Sequence, residues 1–394
     1  MFGISGKQRQ PARCIIKING DEIAKFYRYL EQVSVETSRK NAAICTLTFA
    51  SVRDEKGEWN IQDSGLFEPW NRITIEADFG SKKEEIMRGF IRDVKADYPN
   101  DMNASVRVTG QDETILLDRK HIKLSYKEDD GPYTDMELVK ELLRDHWEGS
   151  PQGKASKMKI VPDKIGAGMP FTALQFDGRP IHLIKDRATL NGYEFYIRKG
   201  EPYFGEPKLE GDPQPVILIY AGMASNCHNF SVSHDGHIPD SINFVDVSEP
   251  CGETTEEVCE SIYALLGETP ANSKNKGLSD FMWRIPLPRG ATLAERKARA
   301  QAIANEAAWK IRATGELDGS AYGHVLETNR TVTVNGAGST YDGLWYVDEV
   351  KHHFSTDGYR QTFRLVRNAV KSKSAGLTSL FADPKKTLFL VNSR

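Results

Sequence analysis

The segments IRDVKADY (Ile91–Tyr98) and VDEVKHHF (Val347–Phe354) match position by position. That agreement constrains the fold more than any other feature of the chain. Ile91 stands with Val347, Val94 with Val350, Lys95 with Lys351 and Tyr98 with Phe354, while Asp93 matches Glu349. A glycine, Gly89 or Gly343, precedes each run, and a second strand-like run follows it, SVRVTG in the first case and YRQTFRLV in the second. The agreement implies an internal duplication of a β domain. It also bears on the adjacent His352 and His353. Strand alternation sends His352 to the face of Val350 and Phe354, and His353 to the face of Glu349 and Lys351. The two imidazoles therefore cannot share one metal without a bulge, and the first segment carries Ala96 and Asp97 in their place. Their expected role is packing and interface.

The rest of the pattern extends the β reading. ARCIIKING ends in Asn-Gly, the signature of a type I′ hairpin turn. Further strands are expected in EQVSVETSRKNAAICTLTFASV, WNRITIEADFG and EEIMRGFIRDVKADY, and short strands at this spacing suggest a sandwich or barrel. The middle changes character. TDMELVKELLRDHW puts apolar residues on one helical face, with Thr134 and Glu137 as a capping box. A short helix, a turn at Gly192 and a hairpin turning at Lys199-Gly200 follow. From Pro215 the chain returns to β with VILIYAG, NFSVSHDGH and SINFVDVS. The polar excursion 251–285 is expected to hold one short helix. A long helix is expected over 293–313, capped by Thr292 and Glu295 and stopped near Gly315. Strands are then expected in GSAYGHVLE and TVTVNG.

Composition excludes several classes. With 52 basic against 55 acidic residues and a net charge of −3, the chain lacks the basic excess that a phosphate-gripping protein needs. No run approaches the ~18–20 consecutive apolar residues of a membrane span, and the first residues carry no apolar core of a secretory signal. Five scattered cysteines with no C-x-x-C read as reduced thiols. There is no G-x-S-x-G elbow, no H-E-x-x-H and no phosphate loop. The one cluster with metal-ligating donors is NCHNFSVSHDGH, which gathers Cys227, His228, His234 and His237. Its spacing fits no standard finger, and a polar strand followed by an Asp-Gly turn explains it as well. No catalytic residue and no cofactor are expected.

A resemblance covers most of the chain. GFIRDVKADYPNDMNASVRVTGQDETILLDRKHIKLSY, NGYEFYIRKGEPYF, the Ala-rich helix, GELDGSAYGHVLETNRTVTVNGAG and DGLWYVDEVKHHFSTDGYRQTFRL together resemble the central baseplate hub of contractile phage tails and related injection systems, the late control gene D family. The resemblance implies a mainly β (α+β) fold of two tail-tube-like β-barrel domains joined by a small α+β domain. The boundaries expected are 1–118, 119–205 and 206–370, the last with the excursion and long helix inserted, and a tail 371–394. It further implies a structural, non-enzymatic homotrimer in a virion or particle baseplate, made in a bacterial cytoplasm. Three chains would present six similar domains, adapting a hexameric tail tube or tube initiator above to a trimeric spike below, with wedge or sheath-adaptor proteins around them. DNA or protein cargo would pass through the lumen without specific binding. Leu388, Phe389, Leu390 and Val391 are candidate contacts for spike or adaptor. The alternative is a cell-wall or metal-dependent hydrolase of a tail tip using the 227–237 cluster.

Overall fold

The structure is a computed structural model. It describes residues 11–371 except 101–102, 128–132, 161–164, 166–167, 169, 172, 249–252, 273–276 and 287–292. The expected contacts Leu388–Val391, and the expected helix cap Thr292, lie outside the described residues.

The chain is mainly β and is organised by one 13-stranded sheet. Six of its strands lie in the first part of the sequence: β1 (Arg13–Ile18), β2 (Leu30–Ser38), β3 (Ile44–Ser51), β4 (Arg72–Asp78), β5 (Lys83–Asp97) and β6 (Ala104–Asp112). Six more lie near the end: β7 (Gln214–Leu218), β8 (Cys227–His234), β9 (Ile311–Asp318), β10 (Thr331–Asn335), β11 (Gly343–Ser355) and β12 (Gly358–Arg367). The first six run in the spatial order β2-β3-β6-β5-β4-β1, and the second six in the order β8-β9-β12-β11-β10-β7. Each strand of the second set thus occupies the place of the strand six numbers before it. One polarity differs, since β1 is antiparallel to β4 whereas β7 is parallel to β10.

The correspondence holds at residue level. In both sets the ladder slips once between the first two strands, between Leu30 and Gln32 of β2 and between Cys227 and Asn229 of β8. It slips again between Ile91 and Asp93 of β5 and between Val347 and Glu349 of β11. A bulge of this kind inserts one residue and sharpens the local twist, so its position shapes the curvature of the sheet. The registers also bring ITI of β4 opposite β5 as VTV of β10 lies opposite β11.

The two sets do not close into the two separate barrels that the sequence reading expected. β2 pairs with the second part of β11, from Ser38↔Glu349 to Val33↔Phe354, and so makes one continuous sheet. Barrel closure needs the outer strands of each set to meet each other, and here one outer strand meets the other set instead. Alternation still places the core. Val33, Val35, Leu47, Phe49, Ile73, Ile75, Val106 and Val108 are buried on one face of the first set, and Ile311, Ala313, Leu317, Val332, Val334, Val350 and Phe363 on one face of the second.

The middle of the chain is a helical and hairpin unit with its own apolar cluster. Helix α1 (Asp135–Leu143) starts at the expected capping box, with the Thr134 hydroxyl accepting from the Glu137 amide and the Glu137 carboxylate accepting from the Thr134 amide. Helix α2 (Pro180–Asn191) ends on Gly192 at φ 67, where a side chain would be strained. The hairpin Glu194–Arg198/Glu201–Gly205 turns through Lys199 and Gly200, both at positive φ.

Three expectations fail between β8 and β10. Within the excursion Glu253–Glu260 and Met282–Arg284 form strands on either side of the expected strand Ser241–Ser248, where a short helix was expected. Helix α3 (Leu293–Ala307) packs Ala300 and Ala304 on Ile242, Phe244 and Cys259 of that small sheet. The helix ends before 313 because Ile311, Ala313 and Leu317 turn inward with strand alternation in β9. GSAY forms a helical turn, with the Asp318 carboxylate accepting from the Ala321 amide, where a strand was expected.

Candidate assembly seam

The β2–β11 seam joins the two sets of strands, and its chemistry differs between its two faces and its end. On the core face Val33, Val35, Val350, His352 and Phe354 are buried. Phe354 stacks on Tyr359 with ring centroids 4.0 Å apart. The His352 Nδ1 lies 2.9 Å from the Tyr359 hydroxyl. Burial lowers the His352 pKa to about 3 and raises that of Tyr359 well above its ordinary value, so both are neutral at neutral pH. His352 is therefore a packed, hydrogen-bonded core side chain. On the opposite face Lys351 pairs with Glu36 at 2.6 Å, both side chains being about half exposed.

At the end of the seam a buried arginine gathers carboxylates from three distant parts of the chain. Arg39, just beyond β2, is 5% exposed. It donates to both oxygens of Glu306 of α3, at 2.6 and 3.0 Å, and to Asp348 of β11 at 3.2 Å. Glu194, from the middle hairpin, has an oxygen 3.5 Å from the same guanidinium. Its other oxygen accepts from the Tyr346 hydroxyl at 2.7 Å and the Asn329 amide at 2.9 Å. Burial opposes ionisation of Glu306, but the hydrogen bonds and charges of Arg39 and Lys40 overcome it and hold the carboxyl at about 2. Glu194 is raised by burial, against the pull of Arg39. Charges this deep persist only when paired, because desolvation costs several kcal/mol per ion.

A second set of contacts crosses between the strand sets below the seam. The Glu84 carboxylate of β5 accepts from the Val325 amide at 2.7 Å and lies 3.0 Å from His324 Nδ1. Val325 and Phe354 complete the apolar cluster of the first set. The middle hairpin is tied in as well, with Arg198 donating to the Thr328 carbonyl and Lys199 pairing with Glu327 at 2.9 Å.

The donor-rich residues of 227–237 are placed along and beyond β8. Cys227 is buried, its Sγ donates to the Asn229 carbonyl, and burial pushes its thiol up to about 11. The His228 Nε2 lies 4.0 Å from Asp318, and the His237 ring packs 5.3 Å from Phe281. His234 is exposed at the far end of the strand. Among the described residues no three His, Cys, Asp or Glu side chains converge as metal ligands, and no helix is long and apolar enough to cross a membrane. Sequence reasoning missed Arg39, Glu194 and Glu306. Nothing local marks them, since each is a charged residue in a polar stretch.

Comparison with known proteins follows this geometry. A 43 kDa tail protein of prophage MuSo2 from Shewanella oneidensis superposes with a TM-score of 0.63 at 13% identity, covering 90% of this chain and 98% of that one. A tail protein from Neisseria meningitidis MC58 gives 0.61 at 12% identity, with 92% and 98% covered. The E. coli protein c3393 gives 0.52 at 10% identity, with 90% and 77% covered. It is described as a type VI secretion component structurally similar to the T4 tail proteins gp27 and gp5. The fold is that of phage tail proteins. The family described as Alg8 N-terminal domain matches residues 8–149, and no curated protein matches.

Proposed function

We propose that this chain is a structural component of a phage tail or related injection machine, the hub ring of its baseplate. The observation that carries the reading is the repeated strand order with its two bulges at equivalent positions. It supports a duplicated β unit within a chain whose fold is that of tail proteins. Three copies of such a chain offer six similar units, which is what a symmetry adaptor between a hexameric tube and a trimeric spike requires. The spike and the tube or tube initiator are thus the partners proposed below and above, with wedge or sheath-adaptor proteins outside.

The near-balanced charge, −3 in 394 residues, suits a lumen through which DNA or protein passes without being held. The role is architectural: the buried seam and the Arg39 network keep the two strand sets at a fixed angle. Native mass measurement of the purified chain tests the reading. The expected mass is three times 44.2 kDa, alone or with spike and tube proteins co-expressed. A chain that stays monomeric in both conditions overturns it.

A further inference from the structure

A cleft of about 360 Å³ opens where the helical turn Glu113–Asp118, just after β6, meets the chain that follows α1. That volume suits a small molecule. Leu116 and Pro151 give the cleft apolar walls, and Arg119, Lys120, Asp145 and His146 line it with polar groups. One wall is a single π turn, Arg144–Glu148, closed by the Gly149 amide donating to the Arg144 carbonyl at 2.7 Å. A Cβ on Gly149 would lie 2.6 Å from that carbonyl oxygen, so the turn admits no side chain there. Single π turns are rare and recur at functional sites.

Two features of the lining point to a ligand. The His146 Nδ1 is buried with no hydrogen-bond partner among the described residues, and a buried polar atom left so calls for a missing partner. Burial first, and then the charge of Lys120, hold the His146 pKa below its ordinary value against the pull of Asp145. The neutral ring therefore has one donor and one acceptor nitrogen. The second feature is Arg119. Its guanidinium lies over the Trp70 ring, 4.2 Å from the centroid, and Trp70 is fixed at φ 74 by its amide, which donates to the Ile91 carbonyl at 2.7 Å. A bulky residue at positive φ is strained. Stacking orients the guanidinium and leaves its N–H edge for an anion. The long 3.5 Å contact to Gln152 occupies little of that edge.

The positive charge is confined to the cleft. Its basic neighbours are paired outside it, His121 with Asp177 and Arg179 with Asp118 at 3.0 Å. A nucleic acid or a membrane needs an extended basic surface, whereas two cations and an imidazole suit one phosphate. We infer that this cleft binds a small soluble phosphomonoester, its phosphate held by Arg119 and Lys120 and its body against Leu116 and Pro151. The inference goes beyond the hub reading and does not depend on it.

Calorimetric titration of the full chain with phenyl phosphate tests it. One molecule should bind per chain, and phenol, which lacks the phosphate, should give no heat. Arg119→Ala and Lys120→Ala should each weaken binding roughly tenfold, the loss of one charge-assisted contact. Arg119→Lys should restore only part of it, because an ammonium lacks the planar fork. Asp145→Asn should tighten binding roughly threefold by removing a like charge. Lys95→Ala, at an exposed lysine outside the cleft, should change nothing. No heat from phenyl phosphate, or equal affinity in the unsubstituted chain and Arg119→Ala, overturns the site. Retention on phosphatidate vesicles or duplex DNA that Arg119→Ala abolishes gives these cations a surface partner and overturns it as well.

Discussion

The connection between β2 and β3 is the short turn Arg39–Ala43, whereas the equivalent connection between β8 and β9 holds a three-stranded sheet and helix α3. The two connections nonetheless meet: the first supplies Arg39 and Lys40, and the second supplies Glu306. A sheet tolerates a large excursion at one turn because the ladder hydrogen bonds on either side are unaffected. The excursion then acts on the other strand set. Its helix brings a carboxylate to a buried arginine at the junction of both strand sets.

Substitutions at Arg39 should break this arrangement most severely. Arg39→Ala leaves Glu306, Glu194 and Asp348 without their shared cation, and the expected loss is about 3–5 kcal/mol in denaturant unfolding. Lys40→Ala removes a mostly exposed partner of the same Glu306 and should cost under about 1 kcal/mol. Equal effects would mean that burial does not separate the two cations.

The seam itself gives the next largest contrast. Val350→Ala opens a cavity in a fully buried position and should cost about 2 kcal/mol. The equivalent Val94→Ala, half-buried in the single chain, should cost less than half of that in the isolated monomer.

Acid should act on the same network. The Glu306 carboxyl is held at about 2, below its ordinary 4.5. Its contribution is therefore complete above about 4.5 and is lost as pH falls through that window toward 2. Acid-unfolding curves of Glu306→Gln should lose part of the pH dependence in this range, and an unchanged curve would remove Glu306 from the account. The smallest effect expected is at Lys351→Ala. This residue pairs with Glu36 across the solvent face of the seam, and the loss should be under about 1 kcal/mol by thermal unfolding.

Much of this fold was legible in order. The capping box at Thr134 and Glu137, the turn at Gly192 and the hairpin at Lys199-Gly200 rest on local backbone chemistry, and they stand where the pattern put them. The charged residues of the excursion 251–285, where one short helix was expected, fit a strand as well as a helix. Pairing with Ser241–Ser248 decided the matter. The end of α3 was misplaced for a related reason. The Ala-rich text continues smoothly into IRATGELD, and only the alternating burial in β9 reveals the change of period. The Cys227, His228, His234 and His237 group was visible as a donor-rich string, but strand alternation and a turn spread it along an edge.

By itself the sequence determined that this chain is built largely on strands and that IRDVKADY and VDEVKHHF share one alternating run of residues. Both follow from periodicity, which is local and survives in the text. Tertiary structure decided that β2 of one strand set lies beside β11 of the other and that Arg39 meets Glu194, Glu306 and Asp348. The physical reason is that ladder hydrogen bonds join backbone groups every residue possesses, so a sequence marks the faces of a strand but not its neighbour.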